Sequence, residues 1–170
     1  MAFIQPCFIR KNSPELRKKL EELGYEPNAY ESFWEDDNRY IITTIGSQGY
    51  GYYTLCIKNC CLLENELFID CGTNEELFLA LAALRDDSDY MQWFVCPKTR
   101  TRRMAGCFGQ VVGMDGHYQE IVGYEWYRHE NKDNALTERF DTMIQMEVED
   151  MEFLPHKATV EEIIEHFKNK

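Results

Sequence analysis

The chain has 170 residues, a formal net charge of −12, and a composition that is 44% hydrophobic and 14% aromatic. That much apolar material excludes a disordered tail, and the length suits one domain, residues 1–170, with a real core. The acid excess excludes a protein that coats nucleic acid over its whole surface, and no apolar run nears the roughly 18 residues of a membrane span.

AFIQPCFI reads as a short strand, and Pro6 within it points to a sheet edge. NSPELRKKLEELGYEP follows with Ser13 as N-cap, Pro14 at the first helical position and Glu15 in the first turn. Leu16, Leu20 and Leu23 share one face and Gly24 supplies the stop, so a helix is predicted near 14–23. RYIITTI and YGYYTLCI are β-branched and aromatic, and GSQG at 46–49 joins them as a hairpin. LFIDC (67–71) is a further short strand. GTNEELFLALAALRDD opens on Thr73 and Glu76 as a capping box and predicts a helix near 74–85. Its apolar residues wrap nearly all round, the pattern of a central, buried helix.

YMQWFVC (90–96) is a strand, followed by the basic segment KTRTRR, which is expected to be an exposed connection. CFGQVV and HYQEIVGYEWY flank Asp115-Gly116, a hairpin signal. HENKDNALTE is a polar loop, and FDTMIQMEV is a further strand or a helix. The chain closes with PHKATVEEIIEHFKNK, where Thr159 and Glu162 form a second capping box. Ile163, Ile164 and Phe167 make the stripe of a helix near 160–168. The expected architecture is α+β, with a largely antiparallel sheet packed by about three helices.

Three segments, CFIRKNSPELRKKLEELGY, FIDCGTNEELFLALAALRDDSDYMQWFV and HKATVEEIIEHF, together resemble a family of small, uncharacterised proteins of phages and mobile elements of gut Bacteroidetes-type bacteria. The resemblance covers under half of the chain. It implies a phage or mobile-element origin and a setting in the host cytoplasm. It carries no established activity, so it transfers no catalytic residue.

The site chemistry is sparse. Seven cysteines, an odd number, stand in a chain whose N-terminus lacks the basic region of a signal peptide, so reduced, buried thiols in a cytoplasmic protein are expected. CIKNCC (56–61) with Cys71 lacks the second close pair that a zinc site commonly has. GSQGYG and GCFGQVVGMDG match no phosphate loop, and no nucleophile stands beside a recognisable base. No catalytic residue, metal or cofactor is assigned.

Two clusters remain. Lys98, Arg100, Arg102 and Arg103 place four cations in six positions, chemistry suited to a phosphate-bearing ligand, nucleic acid or an acidic protein groove. Asp86, Asp87 and Asp89 crowd the expected end of the second helix, as a solvated loop or as a secondary candidate that takes a cation or basic partner. The acidic run EVEDMEF with Glu161, Glu162 and Glu165 is a further, minor candidate for display of negative charge. The leading expectation is a non-enzymatic accessory protein that binds a host component, a host protein first, and inhibits a host defence system. The alternatives are a protein or enzyme that holds a phosphorylated small molecule or nucleic acid on the 98–103 loop, and a virion component. No membrane partner is expected.

Overall fold

The first helix carries its own start and stop. In a computed structural model that describes residues 4–27, 39–46, 49–56, 68–86, 88–103, 117–130 and 155–168, helix α1 spans Pro14–Leu23. Ser13 Oγ accepts from the Leu16 N–H at 3.2 Å, which satisfies one of the helix's orphan donors. Gly24 ends it at φ +103°, a conformation that a Cβ makes costly. Leu16, Leu20 and Leu23 are buried.

Strand β1 (Cys7–Ile9) precedes α1, and β2 (Glu26–Pro27) follows it. Strands β3 (Arg39–Gly46) and β4 (Gly49–Cys56) form the hairpin expected from GSQG, with Gly46 paired to Gly49. Strand β5 (Ile69–Asp70) leads into helix α2 (Glu75–Ala82). The five-stranded sheet runs β2-β4-β3-β1-β5. Its β1–β3 and β3–β4 pairs are antiparallel, while β1–β5 and β2–β4 are parallel.

Pro6 therefore does not put β1 at an edge. The strand starts after the proline and lies between β3 and β5, with all three residues of CFI buried. A strand covered on both faces reads as a continuous apolar run, which is what CFI is. On one face Phe8 packs with Tyr40, Ile42 and Phe68. On the other, the Cys7 thiol lies 3.8 Å from the Phe78 carbonyl of α2. Each fully buried aliphatic or aromatic side chain contributes about 1.5–3 kcal/mol, so this shared core is the main support of the sheet and its helices.

Helix α2 departs from expectation at both ends. Its N-cap is Asn74, whose Oδ1 accepts from the Leu77 N–H at 3.0 Å, and not Thr73. Asn74 outcompetes Thr73 because the turn 71–74, closed by Asn74 N–H to the Cys71 carbonyl, delivers the chain one residue later. The helix stops at Ala82 rather than 85. Leu84 N–H closes a tight bond to the Leu81 carbonyl, and the Leu84 carbonyl accepts from the Ile4 N–H. Helix α3 (Val160–Lys168) begins with the expected reciprocal box, Thr159 N–H to Glu162 at 2.9 Å and Glu162 N–H to Thr159 Oγ1 at 3.3 Å. Ile163 and Phe167 are buried and Ile164 is half-buried.

The remaining described strands are β6 (Trp93–Arg103), β7 (His117–Arg128) and β8 (His156–Lys157), ordered β7-β6-β8 and antiparallel throughout. They belong to a second compact unit, Trp93–His129 with Asp133–Ala158; the first comprises Met1–Gln92, Glu130–Lys132 and Thr159–Lys170. In the second unit Phe94, Val95 and Ala158 are buried, and the Trp93 and Trp126 rings meet edge to face at 6.4 Å. The Arg128 guanidinium covers Trp93 at 5.7 Å, a cation–π contact that also shields the ring. The architecture is α+β with two mostly antiparallel sheets. No described helix is long and apolar enough to cross a membrane.

Candidate anion-binding strand

KTRTRR is not a connection between strands; it is the second half of β6, paired residue by residue with β7. The physical reason lies in the threonines. Thr99 and Thr101 alternate with Lys98, Arg100 and Arg102, and β-branched residues at every second position favour extended backbone, however charged their neighbours. The ladder pairs Lys98 with Gly123, Arg100 with Glu120, Arg102 with Tyr118 and Arg103 with His117.

Alternation also divides the cluster. Strand positions 98, 100 and 102 fall on one face of the ladder and position 103 on the other, so the basic run is divided between two faces. The register slips between Lys98 and Thr99, where Val122 is the extra residue on β7. Such a bulge bends and twists the ribbon locally. Next to it Gly123 has φ +156°, and a Cβ added there would meet nothing within 4 Å.

Lys98, Thr99 and Arg100 are exposed. The Lys98 ammonium lies 3.8 Å from Glu125, an open ion pair. Such a pair stabilises by no more than about 1 kcal/mol. The Arg100 side chain has no hydrogen-bond or ion-pair partner among the described residues, although Glu120 stands opposite it in the ladder. On β7, Val122 and Tyr124 are more than half exposed, at 55% and 58%. Strand β8 reaches only Phe94 and Val95, so beyond Val95 the ladder is a ribbon of two strands among the described residues.

The second cluster is a turn. Asp86 is exposed and Asp89 half-buried, while Asp87 lies outside the described residues. The Asp89 carbonyl accepts from the Gln92 N–H at 3.1 Å, and the Ser88 hydroxyl accepts from the Tyr90 N–H at 3.2 Å. The Gln92 amide, fully buried, donates to the carbonyls of Arg85 and Ser88. Because α2 ends at Ala82, the aspartates lie beyond its terminus rather than on it. Among the described residues no group of three His, Cys, Asp or Glu could hold a metal ion.

Cys7 and Cys71 are buried and Cys96 is half-buried; all three are free thiols. Cys7 Sγ sits 3.4 Å from Thr43 Oγ1, and Thr43 also accepts from the Cys7 N–H and donates to its carbonyl. Its hydrogen bond with Cys7, then burial, pushes the Cys71 thiol far up. A thiol held protonated is a poor nucleophile. The side chains of Cys56, Cys60, Cys61 and Cys107, hence the CIKNCC reading, lie outside the described residues, as does EVEDMEF. Within α3, Glu161 and Glu165 are exposed while Glu162 serves the cap.

No protein-family model, no curated protein and no solved structure matches the chain.

Proposed function

We propose that this is a non-enzymatic binding protein that engages an anionic surface of a host component through the basic strand of the β6–β7 ribbon. One observation carries the reading. In a chain with 30 acidic residues, Arg100 stands exposed on a hydrogen-bonded ladder, with no ion-pair partner among the described residues. A guanidinium that no described carboxylate pairs keeps its five donors for bidentate contact with phosphate, sulfate or carboxylate. The ladder fixes the backbone that carries it, so ordering on contact is confined to the side chain. The wider setting, an accessory protein of a phage or mobile element that acts on a host defence, rests on the segment resemblance alone.

The test is retention on immobilised heparin at low salt. A chain of net charge −12 is repelled by that matrix unless a local basic surface is free to bind. Retention of the unmodified protein is expected, with loss of retention in the triple variant Arg100→Glu, Arg102→Glu, Arg103→Glu and no change in Asp86→Asn with Asp87→Asn. Flow-through of the unmodified protein, or equal retention of the arginine variant, would overturn the reading.

A further inference from the structure

We draw no further inference here: the strongest candidate, the buried thiol pair of Cys7 on β1 and Cys71 just after β5, carries nothing, because it rests on the raised Cys71 thiol alone and the ladder sets Cys7 opposite Ile69 rather than Cys71.

Discussion

Asn74 joins two helix ends with one side chain. Its Oδ1 caps α2 by accepting from the Leu77 N–H at 3.0 Å, and its Nδ2 donates to the Phe167 carbonyl in the last turn of α3 at 3.0 Å. Asn74→Ala removes both. Loss of an N-cap costs about 1 kcal/mol, and loss of a partly buried hydrogen bond about another 1 kcal/mol. The expected total is about 2 kcal/mol, or a fall in melting temperature of about 4–8 °C for a chain of this length. Asn74→Ser keeps the cap and lacks the second donor, so it should recover about half of the loss. Thr73, exposed and outside the cap, should tolerate alanine within about 0.5 kcal/mol. Urea titrations followed by the helical circular dichroism signal give these differences. A Thr73→Ala cost larger than that of Asn74→Ala would refute the cap assignment, and a Ser variant no better than Ala would refute the division between two bonds.

Gly24→Ala should destabilise by about 1–2 kcal/mol in the same titration, because at φ +103° the cost is backbone strain; the new Cβ would lie 3.7 Å from Arg85, an ordinary contact. Burial pushes the Asp70 carboxyl up, but hydrogen bonds from Arg10 and the Gly72 N–H and the charge of Arg10 more than offset this, so it lies below the usual range. That contribution is present above the unfolded value near 4 and is lost as pH falls through the lower folded value; Asp70→Asn should flatten the acid limb of a melting-temperature profile slightly, since both side chains are solvent-exposed. At alkaline pH the sign reverses. The Cys71 thiol, raised by its bond with Cys7 and by burial, and the Tyr25 phenol, raised by burial, stay protonated in the fold, so stability should decline as pH rises past about 8.5, where unfolded thiols titrate. Iodoacetamide labelling mapped by mass spectrometry should modify Cys96 before Cys7 or Cys71, and the reverse order would contradict their burial.

The candidate site was half legible. Lys98 and Arg100 were found by their charge, and both are exposed as expected. Their charge reads as solvated chain, whereas the Thr-Arg-Thr-Arg alternation makes the segment a strand. By alternation Val122 and Tyr124 read with Tyr118 and Trp126 as one core-facing side of the strand, whereas Val122 and Tyr124 are more than half exposed.

What the sequence by itself determined is the set of features closed within a few residues: the Ser13 and Thr159 caps, the Gly24 stop, the Gly46–Gly49 hairpin and the alternating strands. Each depends on hydrogen bonds or backbone sterics between near neighbours, so residue type and spacing suffice. Only the tertiary structure decided that β1 lies inside its sheet, that α2 ends at Ala82, that Asn74 and not Thr73 is the cap, and that the Arg100 side chain has no ion-pair partner among the described residues. Those outcomes turn on Ile4 meeting Leu84, Asn74 meeting Phe167 and β6 meeting β7. Contacts between residues so far apart are set by how all the apolar faces can be buried together, and no local pattern encodes that.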